Sequence, residues 1–171
     1  MGSFEVLACG GRRTHPPRSA INPVRRTAQE SALGNRELRL VEKHRETDDV
    51  VFFSFAARDG GSLPPFHAGQ HLPIRLPMQT GASEGATPKV EWIERNYSIS
   101  CAPRAELYRF TTKRLEGGLV SSWMHNQLSE GEIILTGTPQ GDFCLRPPSD
   151  GPVFLIGAGV GITPLVSMLH E

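Results

Sequence analysis

Three short stretches of this chain combine residue types that could hold a flat-ringed ligand carrying phosphates. In Arg95-Asn96-Tyr97-Ser98 an arginine, able to grip a phosphate through two parallel N–H donors, stands two residues before a tyrosine. In a strand, Arg95 and Tyr97 point to one side and Asn96 and Ser98 to the other, because successive side chains alternate. Tyr97 can then lie against a ring, while the Ser98 hydroxyl and backbone N–H can hydrogen-bond a ring heteroatom. The plainer reading is an ordinary strand with a surface arginine.

The second stretch, Gly117-Gly118-Leu119-Val120-Ser121-Ser122, opens a segment with a helical period. Glycines admit a ligand close to the backbone, and a helix start offers unpaired N–H groups and the positive end of its dipole. A pyrophosphate suits that place, with Ser121 as a further donor. By itself the pattern is more simply a glycine turn with a serine cap. The pair says more than either stretch, since an arginine on a strand and a helix start soon after it can converge on one pyrophosphate.

The third is Gly157-x-Gly159-x-Gly161-Ile-Thr163-Pro164. It is neither the dinucleotide G-x-G-x-x-G nor a P-loop, since no Gly-Lys-Ser/Thr follows. An apolar run, Pro152–Ile156, precedes it and Leu165, Val166, Met168 and Leu169 follow. Strand, glycine loop and helix form the opening of a parallel α/β unit, the right context for glycines that face a ligand phosphate or nicotinamide, although the plainer reading is a tight strand-to-helix turn.

These residues need a scaffold. Alternation predicts strands over 37–44 (Leu38, Leu40 and His44 on one face), 50–57, 70–76 (Leu72, Ile74 and Leu76 on one face), 91–100, 107–114 and 133–136. A helix is expected over 118–128, with Leu119, Val120, Trp123, Met124 and Leu128 inward. Residues 78–89 read as a long loop. The fold class is therefore mainly β: a six-stranded antiparallel barrel with one short helix, then the first strand–loop–helix of an α/β domain. Expected limits are 1–34 for a leader or disordered segment, 35–148 for the barrel and 151–171 for an incomplete second domain. We expect the chain to be part of a longer protein.

Composition narrows the classes. Over 171 residues, 18 lysines and arginines balance 18 aspartates and glutamates, so bulk basic attraction to nucleic acid is excluded. No apolar run reaches the roughly 20 residues of a membrane span. Three scattered cysteines, Cys9, Cys101 and Cys144, form neither a disulfide framework nor a CxxC pair, which points to a reducing compartment, the cytoplasm. Residues 1–30, with five arginines and three prolines against two glutamates, carry no apolar periodicity. A mitochondrial leader is the alternative reading there. His67 and His71 have no third ligand beside them, so no metal is assigned. Cys101 and Cys144 read as small buried residues rather than nucleophiles.

Taken together, Phe66-His-Ala-Gly-Gln70, Arg95-Asn-Tyr-Ser98, Gly118-Leu-Val-Ser-Ser122, Pro139-Gln-Gly-Asp-Phe143 and Gly157-Ala-Gly-Val-Gly-Ile-Thr-Pro164 resemble the ferredoxin–NADP reductase superfamily. The nearest likeness is the reductase half of flavohaemoglobins. The resemblance covers residues 37–171 and implies a flavin-binding barrel followed by a nicotinamide-nucleotide domain. It implies that Arg95 holds a flavin pyrophosphate, Tyr97 packs near the flavin with Asn96 beside it, and Ser98 is the neighbour of flavin N5. Gly118, Leu119, Val120 and Ser121 would give donors to the pyrophosphate, and Gly157, Gly159, Gly161 and Thr163 would face NAD(P)H. The implied cofactor is FAD, with FMN as alternative. The implied activity is electron transfer from NAD(P)H to a haem or iron–sulfur domain or protein. The rival function is a non-catalytic interaction barrel, or an inactive fragment of such a reductase.

Overall fold

The computed structural model describes residues 36–80, 89–103, 106–145 and 153–171. The first strand, β1 (Arg36–Arg45), pairs antiparallel with β2 (Val50–Ala57), whose Val51, Phe53, Phe55 and Ala57 alternate into the core. The next pair, β3 (His71–Thr80) and β4 (Lys89–Ser98), forms a long hairpin ladder from His71↔Ser98 to Thr80↔Lys89. Both strands therefore run into what the sequence suggests is a loop, and residues 81–88 lie outside the described set. β5 (Tyr108–Lys113), α1 (Leu119–Asn126) and β6 (Ile133–Thr136) follow.

The sheet order is β4-β3-β6-β1-β2-β5, with every pair antiparallel. Its ends curl towards each other. After β4, Ile99 bridges Phe110 of β5, the Ser100 N–H donates to the Arg109 carbonyl at 2.8 Å, and the Ser100 and Thr111 hydroxyls share a 3.0 Å hydrogen bond. The half-barrel encloses one core of Leu38, Leu40, Phe53, Phe55, Leu72, Ile74, Leu76, Ile99, Tyr108, Phe110 and Ile134. Each such side chain contributes roughly 1.5–3 kcal/mol when removed from water.

A bulge in β1 changes the expected alternation. The register with β2 shifts between Leu40 and Glu42, so the later residues swap faces. His44 turns outward and stacks on Phe52 (ring centroids 5.0 Å apart). Lys43 turns inward instead, and its Nζ donates to the carbonyls of Met124 (3.2 Å), His125 (2.7 Å) and Leu128 (2.7 Å). Those oxygens belong to the C-terminal end of α1, where carbonyls lack helical partners. Burial pulls the Lys43 ammonium below its ordinary range, against the attraction of Glu132. Lys43→Met keeps the aliphatic stem but strands these acceptors, and should lower unfolding stability in urea by about 2 kcal/mol.

α1 packs through Val120, Met124 and Leu128. Leu119, expected inward, is exposed, and Trp123 is half-buried. The His125 Nε2 lies 3.0 Å from the Thr112 hydroxyl and 3.2 Å from the Thr112 carbonyl, which makes Nε2 the protonated nitrogen. Burial, aided by the Arg114, Lys43 and Arg45 charges, pulls the His125 pKa down, while the bond to Thr112 opposes it. The unfolded chain thus binds more protons at this residue, so stability is complete above the ordinary imidazole pKa and falls as pH drops through it towards the folded value. Melting temperature should decline on acidification from pH ~7.5 to ~5.5, around the unperturbed histidine pKa of about 6.5. His125→Gln should flatten part of that slope.

Near the C-terminus a single 3₁₀ turn, Gly159–Gly161, leads into α2 (Ile162–Leu169). The helix docks on the barrel: Leu165 and Met168 pack on Ala68, flanked by Leu145 and Leu155. The fully buried Ser167 hydroxyl donates to the Cys101 carbonyl at 2.8 Å. The loop and helix of the expected unit are present, but Val153–Ala158 joins no strand. A strand exists by its ladder, and none of the six strands pairs with this run. Phe154 and Ile156 are 82% and 92% exposed. Among the described residues, no helix is long and apolar enough to cross a membrane.

Candidate functional site

The β3–β4 register sets the faces of the first motif. Arg95 lies opposite Ile74 and Tyr97 opposite Leu72, while Asn96 lies opposite Pro73 and Ser98 opposite His71. Arg95 and Tyr97 therefore share the face of the core residues Leu72 and Ile74. Tyr97 is half-buried, its ring 6.2 Å from that of Phe110 and tilted by 32°. Burial raises its hydroxyl pKa and the Arg95 charge partly offsets this, which places the guanidinium within electrostatic reach of the phenol. Arg95 is exposed, and its Nη1 donates to the Glu94 carbonyl at 2.8 Å. Asn96 is exposed and Ser98 half-buried. The Ser98 hydroxyl has no hydrogen bond among the described residues.

β5 connects this motif to the other two. Its Phe110 supports Tyr97, and four residues past its end the chain makes the Gly117–Gly118 turn into α1. Gly118 is the N-cap, and no side chain caps the helix. Ser121, the expected donor, has its hydroxyl accepting the Leu115 N–H at 3.2 Å. A β-carbon on Gly118 would sit 2.6 Å from that hydroxyl oxygen, so glycine is needed for the turn to close. The leading N–H groups of α1, at Leu119, Val120 and Ser121, are left without a side-chain acceptor, which suits an anion.

The 3₁₀ turn of the third motif lies against β5. Gly157, Gly159 and Gly161 are exposed, whereas Thr163 is buried and its hydroxyl donates to the Val160 carbonyl at 2.9 Å. Thr163 thus braces the turn as it stands. The end of β4 and the glycine turn thus both touch β5, and α1 follows that strand in the chain.

Two other stretches build the frame. In Phe66–Gln70, the Phe66 ring meets Tyr108 edge-on at 5.8 Å, and the Gln70 side chain accepts the His67 N–H at 2.9 Å. Gly69, at φ +99°, lies where a β-carbon would strike the Phe143 carbonyl and the Met168 methyl. His67 is exposed, while His71 is half-buried, exchanges backbone hydrogen bonds with Gln140 and faces Ser98 across the ladder. Sequence reasoning missed His71 and Phe110 as site neighbours, because both join through cross-strand register. Cys101 is half-buried, its thiol donating to the Leu107 carbonyl at 3.3 Å. Burial raises the pKa of both Cys101 and Cys144, away from nucleophilic character.

No protein-family model matches the chain. Among curated proteins it is 38% identical over 138 residues to the flavohemoprotein of Pseudomonas aeruginosa, covering 81% of this chain and 32% of that protein. The chain thus spans about a third of the length of such relatives. Among solved structures, the flavohem-like FAD/NAD-binding domain of nitric oxide dioxygenase from Vibrio cholerae superposes with a TM-score of 0.68 at 33% identity, over 79% of this chain and 55% of that one. Phthalate dioxygenase reductase, described as a modular structure for electron transfer from pyridine nucleotides to [2Fe-2S], gives 0.61 at 25% identity, over 84% and 40%. The curled antiparallel half-barrel and the sequence similarity point the same way: the chain is a homologue of part of the flavohemoproteins, with the fold of the FAD-binding domain of ferredoxin–NADP reductase-like proteins.

Proposed function

We propose that this chain is the flavin-binding module of an NAD(P)H-dependent oxidoreductase, with FAD as its cofactor and a haem or iron–sulfur centre as acceptor. The carrying observation is the seam between β4 and β5. There an aromatic ring backed by Phe110 adjoins an exposed arginine and a serine hydroxyl without a hydrogen bond among the described residues, and the chain leaving β5 opens a helix whose first N–H groups no side chain caps.

The residues present fit the group. Arg95 and the N–H groups of Leu119, Val120 and Ser121 would hold the pyrophosphate, a doubly charged group that a guanidinium fork and a helix start both favour. Tyr97 would flank the ring system, with Asn96 at the rim, and Ser98 would hydrogen-bond near N5. Gly118, having no side chain, keeps the approach to these N–H groups open. Gly157, Gly159 and Gly161 would let a nicotinamide nucleotide come close to the backbone, with Thr163 holding their turn. When bound, FAD supplies the exchange between hydride and single-electron chemistry, and the chain supplies position and electrostatics. The phenol of Tyr97, its pKa raised, stays protonated and adds no negative charge beside the ring.

The domain limits 35–148 and 151–171 and a cytoplasmic location belong to the same reading. The matched flavohemoprotein is bacterial, and the mitochondrial-leader alternative falls on residues 1–34, outside the described set. The deciding experiment is a visible absorbance spectrum of the purified chain, with the released flavin identified by chromatography. Bound FAD is the expected result and FMN would correct the cofactor. A protein that stays colourless after reconstitution with either would favour a non-catalytic barrel.

A further inference from the structure

Away from the β4–β5 seam, four basic side chains converge on one recess. Lys43, Arg45, Arg114 and His125, with Val51 and Asn126, line a cleft of about 220 Å³ at the C-terminal end of α1. At 1.5 Å per residue the eight-residue helix is about 12 Å long, so this cleft is separate from the N–H groups at the other end. The C-terminal end of a helix ordinarily repels anions. Here Lys43 occupies the carbonyls of Met124, His125 and Leu128, which removes the repulsion and adds a positive charge beneath the cleft.

The two guanidiniums are left over. Arg114 has no side-chain hydrogen bond or ion pair among the described residues. Arg45 reaches only the exposed Asp48, at 3.6 Å, a distance at which a surface pair is weak. The remaining carboxylates nearby have other partners: Asp49 pairs with Lys113 at 3.1 Å, Glu130 accepts the Lys43 N–H at 2.9 Å, and Glu132 accepts the Ser129 N–H. Two uncommitted arginines beside a buried valine floor, with the Asn126 amide as a neutral donor, suit a compact dianion better than a single charge.

We propose that this cleft is a phosphate-binding site, taking inorganic phosphate or the phosphate of a small phosphomonoester between Arg45 and Arg114. It does not depend on the flavin reading, because no residue is shared with the proposed flavin contacts. The test is calorimetric titration of inorganic phosphate into the full chain, at ionic strength held constant with chloride so that screening is unchanged. Saturable binding is expected. Arg114→Gln and Arg45→Gln should each weaken it about tenfold, the loss of a charge-assisted contact. Arg114→Lys, which keeps the charge without the fork, should recover part. Both arginines are exposed, so equal melting temperatures will show that the fold survives.

Arg58→Gln, at an exposed arginine at the far end of β2 from Val51 and outside both proposed sites, should leave phosphate binding unchanged. Glycerol phosphate in a parallel titration distinguishes the sources, with the tighter of the two naming the ligand. Absence of saturable heat overturns the proposal. So does binding lost in Arg95→Gln but kept in Arg114→Gln, which would assign the phosphate to the helix start instead.

Discussion

Gly69→Ala should be the most damaging single-methyl substitution in the described barrel, lowering stability by about 2–5 kcal/mol. Two costs combine. At φ +99° a β-carbon is strained in its own backbone, by roughly 1–2 kcal/mol. The methyl would also collide with a backbone carbonyl, that of Phe143, and with the Met168 side chain. A flexible side chain can move aside, but a carbonyl held in a packed segment cannot, and overpacking of that kind costs about 1–3 kcal/mol. For a chain of this size the sum lowers the melting temperature by about 10 °C. Gly60→Ala is the control, since Gly60 has φ +73° but nothing within 4 Å of the added carbon. It should lose only the strain, and equal losses at both positions would show that the packing of α2 on the 66–70 turn carries no weight.

Arg95→Ala should have the largest functional effect, a fall in FAD affinity of about 100-fold with the fold intact. Two charge-assisted hydrogen bonds to a pyrophosphate, at about 1.5 kcal/mol each, account for that factor. Arg95 is exposed and bonded only to the neighbouring Glu94 carbonyl, so truncation leaves no buried group unpaired. Fluorescence titration of the apoprotein with FAD, alongside a thermal melt, reads both quantities. Arg95→Lys should fall between wild type and alanine, because an ammonium retains the charge but not the paired donors. Undiminished FAD binding in Arg95→Ala would refute the phosphate role.

How far the sequence carried the argument depended on which interactions were local. Alternation located all six strands, because Leu38, Leu40, Phe53, Phe55, Leu72 and Ile74 recur at period two on a buried face. It ended β3 at Leu76, since Pro77 and the polar residues after it look like loop. The ladder nevertheless continues to Thr80↔Lys89, held by cross-strand bonds that polarity does not record. The bulge at Val41 was invisible for the same reason, and with it the inward turn of Lys43. At the site, the separation of Arg95 and Tyr97 from Asn96 and Ser98 followed from pleating alone. The support of Tyr97 by Phe110, and the proximity of His71 to Ser98, required the register of strands far apart in sequence. The hydroxyls of Ser121 and Thr163 also close their own turns, a role the sequence did not announce. A glycine-rich stretch does not reveal which of its hydroxyls the turn will claim.

The central place of β1 in the sheet has a kinetic consequence. The Thr136 hydroxyl of β6 reaches the Arg36 carbonyl across 100 positions of sequence, and β6 also supplies the only link between β1 and β3 among the described strands. During synthesis, β1 and β2 can pair as a hairpin at once and β5 can tie the end of β4 to β2 by residue 113, but the sheet cannot close between β3 and β1 until residue 136 has left the ribosome. At about 5–20 residues per second, the 79 residues from Ala57 to Thr136 take roughly 4–16 s. Throughout that time the apolar faces of the unfinished sheet stand uncovered, and closing so long a loop is itself slow. The nascent chain is therefore most exposed to misassociation while these residues are being made, and synonymous codons that slow the ribosome between residues 80 and 136 should lower its soluble yield.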